Sequence, residues 1–317
     1  MEGHGRLPDF FIVGHAKCGT TALTKMLKAH PRISIPVKEP RYFAPELRTR
    51  YWRPRSNREK RPRTLQAYRA LFAGAGAEQL VGEATPSYLR SATAAAGIAE
   101  VRPDARIVAI LREPAAFLRS FHLQLLRNYD ENQKSFRRAL ELEPLRKQGR
   151  RMPPFSQAPS GLLYSEHVRY VEQLERFHAA FGRERVLILI YDDLRADNER
   201  TVRRVLQFLG LDWGECQVPH YELDPLKMPR SVILDQLTRL AAYAPHSRAL
   251  SPLLKAAAKT GVGRLGPLWK RAVYEDTPPP EAELMLALRR RFKGEVEAAS
   301  EYLGRDLVAL WGYDRLD

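Results

Sequence analysis

The chain has 317 residues, 44% of them hydrophobic, with two cysteines and a formal net charge of +15. That length supports a packed core without staples, and Cys18 and Cys216 are too few for a disulfide framework or a C-x-x-C zinc site; collagen-like, coiled-coil and disordered compositions are excluded as well. The positive balance, carried by 40 Arg against 12 Lys, points to an anionic partner, and nucleic acid, a phosphorylated cofactor, an acidic glycan and a membrane surface all fit it.

By residue 9 the chain is already in a strand-like run, which leaves no room for a signal peptide, and no apolar run is long enough to span a membrane. A cytoplasmic protein without a membrane span is expected. Short runs rich in branched apolar residues at 9–13, 79–82, 106–111 and 186–191 read as buried strands. Helical spacing covers 20–29, 115–129, 162–181 and 198–209, and returns at 232–243 and 281–303. Strands alternating with helices predict an α/β fold, a central mainly parallel sheet flanked by helices. Residues 1–317 read as a single domain in which 230–317 forms a mainly helical C-terminal layer.

Three segments interrupt this pattern. Residues 48–63 carry eight basic side chains around the single acid Glu59, residues 147–159 are rich in proline, and residues 244–277 mix Gly, Pro and Lys. All three read as loops around a site.

The strongest local signal is Phe11-Ile12-Val13-Gly14-His15-Ala16-Lys17-Cys18-Gly19-Thr20-Thr21-Ala22-Leu23, a buried strand that runs through a loop of small residues into a helix. Backbone N–H groups of such a loop, together with a helix N-terminus, attract anions. Lys17 adds a full charge, and Thr20 and Thr21 add hydroxyl donors. Gly14 and Gly19 are expected to let the backbone approach a phosphate, Thr20 or Thr21 to cap the helix, and His15 to turn its ring to solvent. A Walker A loop would place the lysine after the second glycine, whereas Lys17 precedes Gly19 by two residues.

This K-x-G-T-T-x-L arrangement resembles the 5'-phosphosulfate loop of sulfotransferases that use 3'-phosphoadenosine 5'-phosphosulfate (PAPS). The resemblance requires a second motif for the 3'-phosphate. It is found at Arg106-Ile107-Val108-Ala109-Ile110-Leu111-Arg112-Glu113-Pro114, with Ser120 eight residues after Arg112. That segment is similar to the family's R-[DE]-P motif, in which the guanidinium and the serine hydroxyl meet one phosphate. Lys38-Glu39-Pro40-Arg41-Tyr42-Phe43 looks like the K-E-x-H-[FY]-F segment of the Golgi carbohydrate sulfotransferases and their bacterial relatives. Gly82-Glu83-Ala84-Thr85-Pro86-Ser87-Tyr88 looks like their G-E-x-[ST]-P-x-Y strand exit. Tyr191-Asp192-Asp193-Leu194 resembles their Y-E-D-L strand, and residues 227–231 their P-R-S segment. Ala84 stands where several of those enzymes carry Lys.

The resemblance implies a P-loop-containing sulfotransferase-like fold and transfer of a sulfuryl group from PAPS, which leaves as PAP, to a hydroxyl or amine of a carbohydrate or small-molecule acceptor. It implies Glu39 as the base and Lys17 as the charge that stabilises the leaving PAP; Cys18, Gly19, Thr20 and Thr21 join Lys17 around the 5'-phosphosulfate, while Arg112 and Ser120 take the 3'-phosphate. Lys270 and Arg271, beside Trp269, are the nearest match to the family's nucleotide-closing loop, and no metal is implied. Burial of Glu39 beside the cofactor is expected to raise its pKa toward working pH, and a salt bridge to Lys38 or Arg41 is its competing role. His122 reads as a polar surface residue on a helix or as a visitor to the same cleft.

Two other classes compete. Residues 187–193 imitate a Walker B strand ending in a Mg-binding Asp, so a P-loop kinase using ATP and Mg is one alternative. Residues 48–63, with Tyr51 and Trp52 among the arginines, suit a basic nucleic-acid-binding protein, although no nucleic acid is expected if the enzyme reading holds. Because those basic residues exceed what one PAPS needs and follow Glu39 closely, the acceptor itself is expected to be anionic.

Overall fold

The computed structural model describes residues 5–47, 62–128, 130–153, 156, 159–214, 228–229 and 274–316. Five strands, β1 (Phe10–Gly14), β2 (Ile33–Ser34), β3 (Leu80–Ala84), β4 (Arg106–Leu111) and β5 (Val186–Ile190), form one sheet in the order β2-β3-β1-β4-β5. Every pairing in it is parallel: Phe10 aligns with Gly82 and with Arg106, and Ile107 with Val186. All five residues of β1 and five of the six of β4 are buried, as strands covered on both faces must be. Each such Val, Ile, Leu or Phe contributes about 1.5–3 kcal/mol.

The described helices are α1 (Thr20–Leu27), α2 (Leu65–Ala70), α3 (Ala94–Val101), α4 (Pro114–Asn128), α5 (Phe136–Glu141), α6 (Glu143–Lys147), α7 (Tyr170–Phe181), α8 (Tyr191–Ala196), α9 (Asn198–Leu209), α10 (Ala282–Arg291), α11 (Lys293–Leu303) and α12 (Leu307–Leu310). Local chemistry explains several boundaries. Asp197 accepts the Arg200 amide at the start of α9, and Gly210 in the left-handed conformation ends it. Glu113 accepts the Ala115 and Ala116 amides at 3.1 and 2.6 Å, so Pro114 opens α4 without a stranded donor.

Several expectations need correction. The helix read at 162–181 begins only at Tyr170, after 3-10 turns at Pro159–Leu162 and Tyr164–Val168. The one read at 281–303 divides at Phe292 into α10 and α11. Strand β2 and helices α2, α3, α5, α6, α8 and α12 were not anticipated; all are short, and short elements leave little periodicity. The helix read at 232–243 lies outside the described residues.

The C-terminal helices lock onto the carboxyl end of the sheet. Arg305 grips Asp193 with two bonds of 2.5 and 2.7 Å, Trp311 donates from Nε1 to Asp192 at 2.9 Å, and the Tyr313 hydroxyl donates to Glu113 at 2.5 Å. On the other side of α4, Arg146 and Glu131 form a fully buried bidentate pair with two bonds of 2.7 Å, joined by the Tyr164 hydroxyl. Removing one partner of such a pair would strand the other charge, at a cost of about 3–5 kcal/mol.

Glu83 on β3 is fully buried, receives the Tyr68 and Tyr88 hydroxyls at 2.5 and 3.2 Å on one oxygen, and is pushed up to about 7 by desolvation. A carboxyl raised in the folded state binds a proton there before the unfolded chain does, so stability falls as pH rises from about 4.5 to 7. That difference is worth about 3 kcal/mol. Urea unfolding of the wild type and of Glu83→Gln should therefore converge at pH 4.5 and separate toward pH 7.5, with the wild type losing ground. Parallel curves would mean that Glu83 does not titrate in this range.

Candidate active site

A cavity of about 490 Å³ opens at the carboxyl ends of the strands. Sheet order reverses around β1, whose neighbours are β3 and β4, and ligands of open parallel sheets bind at such a switch point. The walls come from the segments leaving four strands: Ala16, Lys17, Gly19, Thr20 and Thr21 after β1, Pro86 after β3, Arg112 after β4, and Tyr191 after β5. Lys38 joins them through a parallel bridge to Ala84 at the end of β3, and Glu39 follows it into the lining. Thus Lys17, Gly19, Thr20, Thr21, Glu39, Arg112 and Ser120, more than 100 residues apart in sequence, share one cavity. Lys270 and Arg271, with Trp269, lie outside the described residues.

Among the described lining residues four are cationic, Lys17, Lys38, Arg112 and Arg119, and Glu39 alone is acidic. Arg112 ties the two motifs together: its Nη1 donates to the Lys17 carbonyl at 2.9 Å, its guanidinium lies 4.5 Å over the Tyr191 ring, and its own carbonyl accepts the Tyr170 hydroxyl. Burial lowers the Lys17 pKa, and the charges of Arg112 and Arg127 lower it further; Lys38 is lowered by burial too and donates to the Thr21 hydroxyl. A crowd of partly buried cations costs free energy that a bound anion recovers.

The loop differs from expectation in detail. Gly19 itself, at φ 87°, is the N-cap of α1, while Thr20 is buried within the helix; neither threonine caps. A Cβ on Gly19 would strike Leu194 and Tyr191 at 2.9 and 3.1 Å, and one on Gly14, at φ 144°, would reach the Ile110 carbonyl at 2.6 Å. Both glycines are thus required by the protein's own packing, before any ligand approaches. Cys18 turns into the core and does not line the cavity. Its thiol is pushed up to about 12, chiefly by burial, and its amide donates back to the His15 carbonyl.

Glu39 is not buried: its side chain is 40% exposed and pairs with Arg41 at 2.9 Å. Lys17, Glu39 and Arg41 all hold positive φ, 75°, 58° and 54°, a conformation that costs a non-glycine residue about 1–2 kcal/mol. Strain of this kind concentrates where side chains must be aimed.

Both histidines are corrected. His15 does not face solvent; it is 2% exposed, packs on Phe117 and Tyr170, and its Nε2 lies 2.8 Å from the Gln173 oxygen. The Gln173 amide nitrogen already serves the Glu166 and His167 carbonyls, so its oxygen accepts and His15 carries the proton on Nε2. His122 is neither a surface residue nor part of the cavity; it is buried between the Tyr164 hydroxyl and the Lys134 carbonyl at 2.9 and 3.3 Å. The kinase reading loses its metal ligand, because Asp192 and Asp193 sit on α8 and are committed to Trp311 and Arg305.

Sequence reasoning missed Arg119, Leu123 and Gln124, whereas Thr277, Pro278 and Pro280 form a wall at the end of the 244–277 segment that reads as a loop around a site. The helical face of α4 was legible, since Ala116, Ser120, Leu123 and Gln124 follow the i, i+4, i+7, i+8 pattern that lines the cavity. The wall from 277–280 has no such periodicity.

The parallel sheet, the strand-loop-helix after β1 and the cavity above them define a P-loop-containing sulfotransferase-like fold. The chain belongs to the sulfotransferase family, whose model matches residues 8–215. It is similar to heparan sulfate glucosamine 3-O-sulfotransferase 3A1 of Mus musculus, 28% identical over 211 residues that make up 66% of this chain and 47% of that protein. It is 29% identical to heparan sulfate glucosamine 3-O-sulfotransferase 6 of Homo sapiens over 66% of this chain and 54% of that one. The chain therefore spans about half the length of these curated relatives. Among solved structures, a sulfotransferase from Alicyclobacillus acidocaldarius is 30% identical, with a TM-score of 0.59, covering 79% of this chain and 96% of its own. Among the described residues, no helix is long and apolar enough to cross a membrane.

Proposed function

We propose that the protein transfers a sulfuryl group from PAPS to a hydroxyl or amine of a carbohydrate or small-molecule acceptor. The observation that carries this reading is the cavity in which four cations and one carboxylate converge on a helix N-terminus. The donor set fits a multiply anionic nucleotide: amides and hydroxyls at the start of α1, Lys17 beside them, and Arg112 and Ser120 in the same lining. When bound, PAPS supplies the sulfuryl group and departs as PAP.

In this reading Lys17 through Thr21 hold the 5'-phosphosulfate, with Cys18 contributing backbone alone. Arg112 and Ser120 hold the 3'-phosphate. Lys17 balances negative charge that grows on the leaving side, which is where a preplaced cation lowers a barrier most. Glu39 receives the proton of the attacking hydroxyl, and its pairing with Arg41 orients the carboxylate. A sugar acceptor is favoured by the names of the curated relatives, and an anionic one by the net charge of +15. Residues 48–61, the basic segment proposed to border the acceptor, lie outside the described residues, and the chain as a single cytoplasmic catalytic domain belongs to the same proposal.

PAP without metal should raise the unfolding temperature, because a ligand bound to the native state alone stabilises it, by about 2.7 kcal/mol at a hundred times Kd. Arg112→Ala should remove most of that rise. Adenosine phosphosulfate, lacking the 3'-phosphate, should compete poorly. An unchanged rise in the variant would overturn the 3'-phosphate assignment, and no rise in the wild type would overturn the donor.

A further inference from the structure

Arg119 is one of the four cations of the cavity but holds no assigned group in the reading above, although it lines the cavity beside Ser120. Its two terminal nitrogens are used unequally. Nη2 donates to the Pro278 carbonyl at 2.9 Å, joining α4 to the 277–280 wall. Nη1 is buried and has no hydrogen-bond partner among the described residues, and no described carboxylate forms a salt bridge with this guanidinium. Burial lowers the Arg119 pKa.

A guanidinium presents its donors as a rigid fork suited to phosphate oxygens, and a desolvated, unused arm of that fork is a vacancy for an acceptor atom. The position of that arm selects among the anions available. Ser120, its neighbour on α4, is assigned to the 3'-phosphate, and both side chains line the cavity. Resting on the PAPS reading, we infer that Arg119 is a selectivity residue for the 3'-phosphate of the nucleotide, donating to it from Nη1 while Nη2 retains the 277–280 wall. One side chain then serves both the phosphate and the segment that borders it. A nucleotide without the 3'-phosphate leaves Nη1 stranded and is discriminated against for that reason.

The test is calorimetric titration of PAP and of adenosine 5'-phosphate, which differ by the 3'-phosphate, into the wild type, Arg119→Gln and Arg119→Lys. Unchanged unfolding midpoints without ligand verify that the variants are folded. The wild type should prefer PAP; Arg119→Gln should lose about tenfold in PAP affinity and nothing for adenosine 5'-phosphate, because one charge-assisted bond is worth that much. Arg119→Lys, which keeps the charge without the fork, should fall between. Equal losses for both nucleotides would show that Arg119 acts through the 277–280 wall alone and overturn the inference, as would no loss at all. An Arg119→Gln variant that binds PAP normally but needs more acceptor would move the vacancy to the acceptor and overturn it too. A wild type that binds both nucleotides alike, or neither, would instead sink the PAPS reading itself.

Discussion

Replacing Glu39 with Gln is expected to lower turnover by roughly two to four orders of magnitude, the usual worth of a general base, while PAP affinity stays near wild type. Glutamine keeps the volume and one oxygen for Arg41 but cannot take the proton of an attacking hydroxyl. Because the carboxylate is partly exposed and ion-paired at 2.9 Å, loss of the pair alone is a competing explanation for any defect. Arg41→Ala separates the two: it removes the pair and leaves the base, so it should slow turnover far less than Glu39→Gln. The acidic limb of the pH-rate profile should also vanish in Glu39→Gln and persist in Arg41→Ala. If both variants lose turnover equally and both keep that limb, Glu39 is a structural partner of Arg41. Lys17→Ala should damage binding and turnover together, since its charge meets the ligand in both states.

Acid should unfold the protein steeply below about pH 5, through histidines that the fold keeps neutral. Desolvation pushes His15 down to about 3 and His122 down to about 4; His167 lies well below its ordinary value for the same reason, with Arg90 and His15 adding to it. A histidine lowered in the folded state is protonated first in the unfolded chain. Its contribution is therefore complete above pH 6.5 and lost as pH falls toward the folded value. At one pKa unit per 1.36 kcal/mol, His15 and His122 account for about 5 and about 3 kcal/mol, a large part of a typical total of about 5–15.

Glu83 works in the opposite direction, but its gain is complete by about pH 4.5, whereas the loss at the histidines keeps growing below that. The histidines prevail. His15→Gln preserves a donor toward Gln173 and cannot titrate, so between pH 6.5 and 4.5 it should lose about 2 kcal/mol less than the wild type in urea midpoint analysis. An undiminished acid dependence in that variant would acquit His15.

The fold and the cavity were legible in the sequence to different depths. Strands β1 and β4 announce themselves because a strand buried on both faces needs an unbroken apolar run, the edge strand β5 shows by its branched residues, β3 shows only in part because it carries Glu83, and α9 shows its cap and stop residues. The loop after β1 was readable as cavity lining because its residue types stand out in sequence: a lysine, small residues and hydroxyls after a buried strand. Arg112 and Ser120 reach one cavity because Arg112 follows the end of β4 and α4, which carries Ser120, starts two residues later.

Tertiary structure decided the rest, since burial and partnership depend on residues far apart in the chain. Nothing within four residues of His15 reveals Gln173, 158 positions away, and nothing local shows that Glu39 turns to Arg41 or that Glu83 is enclosed by two tyrosines. The glycines at 14 and 19 look like ligand-facing residues in sequence; the packed neighbours Ile110, Leu194 and Tyr191 make them packing requirements first. Arg119 is a charged helix residue like any other until α4, the sheet and the 277–280 segment are brought together, because only then does one of its nitrogens lose water without gaining a partner among the described residues.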